Sequence, residues 1–520
     1  MKNTNLHRFS FGFFLLLLSG CCLDGGLLMT VGPDYHSPEP ATESHWNAKQ
    51  PDTDEQPVAH KGDLSSLSGW WERFGDPVLN RLLAAAQQES ASIAKAKAQI
   101  IEARGNLVSS ESVFLPSIDS SLSSTRSSFS FGGAPFIRNQ HQLSVQSSWE
   151  IDLFGGLARQ RQASESQLQS RTASWHDARV AVAAELAYEY LSYRYCEAQV
   201  QLRKTDADSR QASAQLITIA GNAGFRSPAD VALANASAAD GNNLLLKQQA
   251  QCQRSIKALV ALTGLAEPQI RTLLGDTPQR LAQLPNPPLF QVNSVPANVI
   301  RQRPDIAAAE RDMADASAKI GVEQANRFPK LSLSGNITPV FQNINGAALT
   351  LAETWSYGPT LSLPLFDAGK RAANVETAKA NYESSVVQYR AVVRKAVKEV
   401  EDALVRVVSA DQRLPLARSA AAGYQTNFLS AQKLYEVGMG NLIDTETARR
   451  NAVTAYLAVK DLEQEKVSAW IALYRAVGGS WEDRQAKQSV TATKELPSAS
   501  DKINIDTNSQ QPSHLSGEKS

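Results

Sequence analysis

The chain has 520 residues and carries 52 basic and 52 acidic side chains, so its formal net charge at pH 7 is zero. This balance argues against a dedicated nucleic-acid-binding protein. Hydrophobic residues make up 42% of the chain and charged residues 20%, which is typical of a folded protein and excludes a chain that is disordered throughout. Length alone would suggest three or four domains of about 150 residues.

The first residues are typical of a secretory signal. Basic residues precede the apolar run 9–18, which is too short for a membrane-spanning helix of about 20 residues. The small residues before Cys21 match a lipoprotein cleavage site and predict removal of 1–20 and lipidation of Cys21. An ordinary signal peptide followed by an incidental cysteine is the alternative. Cys22 stands where lipoproteins of the inner membrane have aspartate, so the resemblance to bacterial lipoproteins implies passage to the outer membrane.

The rest of the chain contains an internal repeat with an offset of about 213 residues. The matched landmarks are Phe114-Leu115-Pro116 with Arg327-Phe328-Pro329, 152–156 with 364–369, Gly224 and Asp230 with Gly438 and Asp444, and Ala258-Leu259 and Gly264 with Ala472-Leu473 and Gly478. The repeat predicts two equivalent units, 71–265 and 301–481, joined by a proline-rich equatorial linker, 266–300. An extended, lipid-anchored segment, 21–70, precedes them, and a polar tail, 482–520, is expected to be disordered.

Each unit is predicted to contain a β-hairpin. The expected strands are 117–131 and 141–154 in the first unit, and 330–341 and 354–366 in the second. Every second residue of the later strand in each hairpin is mostly apolar: Leu143, Val145, Ser147, Trp149 and Ile151, and then Trp355, Tyr357, Pro359, Leu361, Leu363 and Leu365. Lengths of about 10 to 14 residues fit tilted transmembrane strands, although a soluble sandwich would have the same pattern.

The number of strands predicts an oligomer. No run of 18 apolar residues follows the signal segment, so strands would have to make any crossing of a membrane. Four strands cannot close an outer-membrane barrel, which needs at least about eight. Two copies would supply eight and three would supply twelve; twelve is favoured because small eight-stranded barrels are filled by side chains. We therefore expect a homotrimer.

Long helices are predicted after each hairpin. The expected helices are 157–220 and 228–264 in the first unit, and 368–437 and 441–478 in the second. A seam of coiled-coil packing follows from the 3-4 spacing of Val386, Tyr389, Val393, Ala396, Val400, Ala403, Val407, Ala410 and Leu414. Pro415 lies within this pattern and predicts a kink or a short break.

Motifs along the chain resemble those of one family. They are Val31-Gly32-Pro33-Asp34-Tyr35 with Pro38; Trp70-Trp71 with Phe74, Asp76, Pro77 and Leu79; Arg303-Pro304-Asp305-Ile306 with Glu310; Leu365-Phe366-Asp367-Ala368-Gly369; Tyr435-Glu436-Val437-Gly438; and Gly478-Gly479-Ser480-Trp481. Jointly they resemble the TolC-like outer-membrane factors, in the OprM or NodT branch of outer-membrane efflux lipoproteins. The resemblance implies a mixed, mainly α-helical fold: a trimer with a twelve-stranded transmembrane barrel, a long periplasmic α-helical barrel and an equatorial region.

The resemblance also implies a function. Such proteins are passive exit ducts of tripartite efflux or secretion systems in the Gram-negative outer membrane, docked to a periplasmic adaptor and an inner-membrane transporter, here expected to be of the RND type. No cofactor, metal or nucleic acid is expected, and the scattered histidines and missing catalytic motifs argue against an enzyme. The alternative is a lipid-anchored periplasmic coiled-coil scaffold without channel activity.

The two turns between the long helices are the expected gate and docking region. Glycines permit the tight reversals and proline suits the start of a helix; these residues are Gly221, Gly224 and Pro228 in the first turn and Gly438 and Gly440 in the second. By resemblance, the adaptor docks at these turns. The resemblance also makes Tyr435, Asp230 and Asp444 candidates for the gate.

The match to the family's gate is incomplete. Gly440 stands where some relatives have arginine and Thr447 where many have aspartate, and Arg450 could compensate one turn further along. A threefold ring of carboxylates would select cations. Alternatively, Asp230 and Asp444 simply cap the helices that restart after the turns.

The two remaining cysteines predict a crosslink. Cys196 and Cys252 lie 28 residues before and after Gly224, and residues equidistant from the turn of a helical hairpin are neighbours. An oxidising compartment would then favour a disulfide between them. Two free buried thiols pointing apart are the alternative.

Overall fold

The computed structural model describes residues 25–51, 58–60, 67, 69–130, 132–275, 286–292, 294 and 296–479. The predicted signal peptide, Cys21 and the tail 482–520 lie outside these residues. The elements, in chain order, are β1 (Val58–His60), α1 (Pro77–Glu89), α2 (Ala91–Ser112), β2 (Ser117–Phe129), β3 (Phe136–Ile151), α3 (Gly156–Asn222), α4 (Pro228–Thr263), α5 (Glu267–Gly275), β4 (Phe290–Val292), α6 (Pro296–Arg301), α7 (Pro304–Ala325), β5 (Lys330–Ile344), β6 (Thr350–Ser362), α8 (Lys370–Glu436) and α9 (Leu442–Ala476).

The repeat is visible in the order of the elements. Both units run from a helix through a β-hairpin to a long helix and a returning helix: α2-β2-β3-α3-α4, then α7-β5-β6-α8-α9. The long helices α3 and α8 have 67 residues each, about 100 Å at 1.5 Å per residue. Each packs along its own returning helix, and α7 packs against both α3 and α8.

Packing explains why the predicted seam is helical. The seam residues from Tyr389 to Leu414 are buried, and the start of the seam packs on α6 and α7 through Ile300, Ile306 and Met313. Valines and alanines alternate along it, so the neighbouring helices can approach closely. None of the described helices combines the length and the apolar character needed to traverse a lipid bilayer.

Pro415 was expected to cause a kink or a short break, and the prediction of a break is wrong. The helix α8 continues through Pro415. A proline inside a helix costs about 3 kcal/mol, and contacts with α9 on both sides of it offset this cost. The contacts are apolar packing of Leu414 and Ala421 on Val459 and Leu462, and the ion pairs Arg413–Glu465 and Arg418–Glu463.

The four long strands form one antiparallel sheet in the order β2-β3-β5-β6, so β3 and β5 join the two hairpins. The strand β3 lies earlier than predicted, because residues 152–154 leave the sheet and accept backbone hydrogen bonds from Leu27, Leu28 and Val31. The strand β6 also lies earlier, because a tight turn after Ile344 brings the chain back at Thr350. The predicted linker 266–300 contains α5, β4 and the start of α6, and β4 pairs in parallel with β1.

The motif around Trp70 and Asp76 is a packing centre. Trp70 is buried and stacks on Tyr474 of α9 at 4.5 Å between ring centroids. Asp76 caps α1 by accepting a hydrogen bond from the backbone N–H of Val78 at 3.0 Å. Its other carboxylate oxygen accepts hydrogen bonds from Tyr190 and Arg194, both at 2.7 Å. Burial raises the pKa of the Tyr190 hydroxyl well above its ordinary value, so it remains a donor to Asp76.

The motif that begins at Val31 fastens the N-terminal segment to the helices. The Arg159 guanidinium of α3 donates to the carbonyl of Val31 at 3.2 Å and pairs with Asp34 at 2.8 Å. Gly32 has a positive φ of 96°, and a Cβ there would lie 2.4 Å from the Cα of Gly321. Only glycine permits this close approach of two backbones.

Candidate functional site

The first turn is a tight reversal between α3 and α4. Gly224 adopts a positive φ of 82°, and the N–H of Phe225 donates to the carbonyl of Ala220 at 2.8 Å, which closes the end of α3. Ser227 caps α4 by accepting from the N–H of Asp230 at 3.1 Å. Asp230 is half-buried in the first turn of α4. The structure therefore gives Asp230 a position in the cap of the restarting helix.

The second turn repeats this design between α8 and α9. Gly438 has a positive φ of 77°. Asn441 caps α9 by accepting from the N–H of Asp444 at 2.8 Å, and the Asn441 side-chain amide donates back to the Asp444 carboxylate at 2.6 Å. This reciprocal pair acts like a capping box, although its second bond joins two side chains. A Cβ on Gly440 would lie 3.0 Å from the backbone nitrogen of Tyr435, so an arginine at this position would require the turn to shift.

Tyr435 lies between the two hairpins. Its ring packs beside an apolar cluster that includes Ile217 of α3 and Leu442 of α9. The guanidinium of Arg226, in the first turn, lies over the ring at 5.1 Å from its centroid. Tyr435 therefore joins the first turn to the second hairpin through Arg226, a residue that the sequence did not single out.

Three of the predicted gate residues share an exposed stretch at the start of α9. Asp444, Thr447 and Arg450 are all exposed. Arg450 donates to the Thr447 hydroxyl at 3.5 Å, so the guanidinium does reach position 447. The stretch carries one exposed carboxylate and one exposed guanidinium, about 9 Å apart along the helix axis at 1.5 Å per residue.

A buried polar network lies further inside the hairpins and connects α3, α4 and α9. Arg210 pairs with Asp206 at 2.9 Å, with side-chain exposures of 3% and 1%. Ser237 of α4 lies 3.4 Å from Arg210 and donates to Glu446 of α9 at 2.8 Å. Glu446 in turn pairs with Arg449 at 2.5 Å, and these side chains are 6% and 7% exposed. The network therefore fastens the first hairpin to the second.

Two further contacts complete this network. Arg449 donates to the Ser213 hydroxyl of α3 at 3.3 Å, and its guanidinium lies 5.4 Å from the centroid of the Phe428 ring. Gly241 of α4 leaves room for Arg210, since a Cβ there would lie 2.8 Å from the Arg210 Cδ. No residue of this network was among the predicted site residues. Its signals were the i,i+4 pair Asp206–Arg210 and the i,i+3 pair within α9.

The structure joins Cys196 and Cys252 in a disulfide across α3 and α4, with 5.6 Å between their Cα atoms. The Gln248 side-chain amide donates to the sulfur of Cys196 at 3.3 Å and to the Gln199 side chain at 2.8 Å. Gln199 then donates to Asp461 of α9 at 2.7 Å. The crosslinked position is therefore also connected to the second hairpin.

The sheet has one mainly apolar and one polar face across all four strands. Paired residues in an antiparallel sheet point to the same face. The rows on the apolar face include Ser120–Val145–Ile337–Trp355 and Ile151–Leu331–Leu361, and those on the polar face include Asp119–Gln146–Asn336–Ser356 and Ser121–Ser144–Thr338–Thr354. Hydroxyl and amide groups of the polar face bond across strands, as between Ser144 and Thr338 at 3.1 Å. The predicted alternation of Trp355 and its neighbours thus extends over the whole sheet.

Comparison with known proteins gives consistent results. The family model described as outer membrane efflux protein matches residues 82–265 and 295–479. Nodulation protein T of Rhizobium leguminosarum bv. trifolii is 29% identical over 487 residues, covering 91% of this chain and 97% of that protein. The solvent efflux pump outer membrane protein SrpC of Pseudomonas putida is 26% identical over 479 residues, covering 90% and 97%. The solved outer-membrane channel OprN has a TM-score of 0.73 and 27% identity, covering 87% of this chain and 99% of that one.

Proposed function

Because this chain belongs to the outer membrane efflux protein family, whose members are outer-membrane efflux channels, we propose that three copies assemble into the exit duct of a tripartite system. The observation that carries the proposal is the two-faced sheet. Three such sheets would close into a barrel with the apolar face towards lipid and the hydroxyl and amide face around a water-filled passage. The long helical hairpins would continue this passage into the periplasm.

We propose that the turns dock a periplasmic adaptor, which links the duct to an inner-membrane transporter of the RND type. The supporting observation is the apolar surface at the two turns, where Phe225, Val437 and Met439 are largely exposed. Exposed apolar residues at the end of a soluble hairpin mark a protein contact. Co-purification with a periplasmic adaptor from the native membrane checks the proposal, and its loss on Met439→Asp is the expected result.

We further propose that the gate combines two layers. The outer layer is the exposed stretch with Asp444, Thr447 and Arg450, where three carboxylates would face one another around the axis. The inner layer is Tyr435 with Arg226, whose contact joins the two hairpins of one subunit. Asp230 belongs to this layer because its neighbour Val231 packs in the same cluster as Tyr435. Opening then requires the second hairpin to separate from the first.

Single-channel recording in planar bilayers tests both the duct and the acidic ring. The wild-type protein is expected to conduct, and Asp444→Ala is expected to lower the ratio of cation to anion permeability about fivefold, since a ring charge contributes on the order of 1 kcal/mol. Asp444→Gln is the matched variant, because the glutamine side-chain oxygen can still accept a hydrogen bond from the Asn441 amide while the charge is removed.

The two variants separate the gate from the cap. Equal losses of selectivity support the charge ring, whereas a change in Asp444→Ala alone assigns Asp444 to the helix cap. A wild-type trimer that never conducts would leave the lipid-anchored scaffold as the function.

We also propose that Cys21 carries the lipid that anchors the trimer to the outer membrane. The support is the cleavage-site pattern before Cys21, together with the backbone pairing of Leu27 and Leu28 beside the end of β3, which leaves a short tether at the base of the sheet. Cys21→Ser is expected to abolish incorporation of labelled palmitate, with Cys22→Ser as the control that retains it. Equal labelling of both variants would place the lipid elsewhere.

A further inference from the structure

We propose a specific register for the seam between subunits: β6 pairs antiparallel with β2 of the partner subunit so that Leu361 lies opposite Leu122 of the partner subunit. This inference rests on the trimer proposed above. The new content is the identity of the residue pairs between subunits. These pairs follow from the repeat and from the strand pairing within one chain.

The proposed contact between subunits involves the two edge strands of the sheet. The strands β2 and β6 are the outer strands of the sheet, and each has 13 residues. Their outward N–H and C=O groups would be costly in a bilayer unless another strand satisfied them. In the register derived below, residues 354–362 of β6 lie opposite residues 121–129 of the partner subunit, so most of each edge is satisfied.

The repeat supplies the equivalences needed to find the register. Ser117 and Lys330 each follow the proline that opens a hairpin, so they occupy equivalent positions. Their partners in the returning strands are Ser148 and Ser362, and these are therefore equivalent as well. Every residue of β2 thus has a counterpart in β5, and every residue of β3 has one in β6.

The junction between the two hairpins gives the pairing itself. Within the chain, Val145 of β3 lies opposite Ile337 of β5. The counterpart of Val145 is Pro359, and the counterpart of Ile337 is Ser124. If the seam between subunits repeats the junction within a subunit, Pro359 lies opposite Ser124 of the partner subunit.

The register keeps each face of the sheet continuous across the seam. On the apolar face, Leu361 meets Leu122 of the partner subunit, and Tyr357 meets Arg126 of the partner subunit, where a guanidinium can lie against the exposed ring. On the polar face, Thr360 meets Ser123 of the partner subunit. A slip by one residue would place polar groups in lipid.

A slip by two residues keeps the faces but loses these pairs. Leu361 would then lie opposite serine in either direction, at Ser120 or Ser124 of the partner subunit. Tyr357 would likewise lose Arg126 of the partner subunit. Cross-strand side-chain pairs contribute to sheet stability, so the chemistry favours the register derived from the repeat.

Disulfide crosslinking of the full-length protein in outer membranes distinguishes these registers. Thr360→Cys is combined with Ser123→Cys, or with Ser121→Cys or Thr125→Cys, in a Cys22→Ser background. Directly opposite Cα atoms lie within disulfide range, and positions two residues away lie about 8 Å apart, beyond that range. We expect covalent trimers on non-reducing gels to form at least tenfold faster with Ser123→Cys than with either flanking variant.

The other outcomes overturn the inference in different ways. Fastest crosslinking with Ser121→Cys or Thr125→Cys would replace this register with a slipped one. A native trimer without crosslinks in any of the three, repeated with Ser356→Cys and Ser127→Cys, would show that β2 and β6 do not meet. A monomeric wild-type protein would refute the proposed trimer itself, which native mass measurement of the uncrosslinked protein reveals separately.

Discussion

Replacing Glu446 by alanine is expected to destabilise the contact between the two hairpins by about 3 to 5 kcal/mol. The carboxylate of Glu446 is 6% exposed and is the ion-pair partner of Arg449, so its removal leaves a guanidinium buried without a countercharge. The Ser237 hydroxyl loses its acceptor as well. Amide hydrogen exchange along α9 and thermal unfolding of the trimer measure the effect.

Two further variants decide whether the unpaired charge is the cause. The double variant Glu446→Ala with Arg449→Met removes both charges and is expected to recover most of the lost stability. Glu383→Ala removes an exposed carboxylate of α8 and is expected to change stability by no more than about 0.5 kcal/mol. If the double variant is as unstable as Glu446→Ala, the unpaired guanidinium is not the cause of the loss.

Removing the disulfide is the second change with a large expected effect. Cys196 and Cys252 are separated by 56 residues, and a crosslink that closes a loop of this size stabilises a protein by about 4 kcal/mol in the chain-entropy description. The double variant Cys196→Ala with Cys252→Ala is therefore expected to unfold at a clearly lower denaturant concentration. The second hairpin, which has no equivalent bridge in the described residues, should change less in hydrogen exchange.

Reductant provides the control for this experiment. It should lower the unfolding midpoint of the wild-type protein and leave the double variant unchanged. Mass spectrometry of the unreduced mature protein tests the bridge directly, and two free thiols at Cys196 and Cys252 would contradict it. Equal midpoints with and without the cysteines would mean that contacts such as Gln248 with Gln199 already hold the hairpin closed.

The parts of the fold that the sequence predicted are those with a regular period. The seam from Tyr389 to Leu414 and the alternation around Trp355 each follow from the geometry of one element. The bounds of the long helices fall within two residues of those expected because glycine and proline mark their ends. The short break expected at Pro415 was wrong because lateral packing on α9 outweighs a local preference.

The candidate site was predictable only where its residues are close together in the sequence. The turns and their caps follow from short motifs, so Asp230 and Asp444 were found. The buried network was not, because Ser237 and Glu446 are 209 residues apart and meet only when two hairpins lie side by side. Arg226 was missed for the same reason, since its partner Tyr435 belongs to the other hairpin.

The two-faced sheet affects the solubility of the protein before it reaches the membrane. A single subunit exposes Leu122, Trp355, Tyr357 and Leu361 to water, along with two open strand edges. Such a surface is prone to aggregation, so the solitary subunit is the hazardous form. In the periplasm, aggregation of the single subunit then competes with assembly of the trimer. Binding by a chaperone, or a short lifetime of the free subunit, would then determine the fraction of secreted chains that assemble into channels.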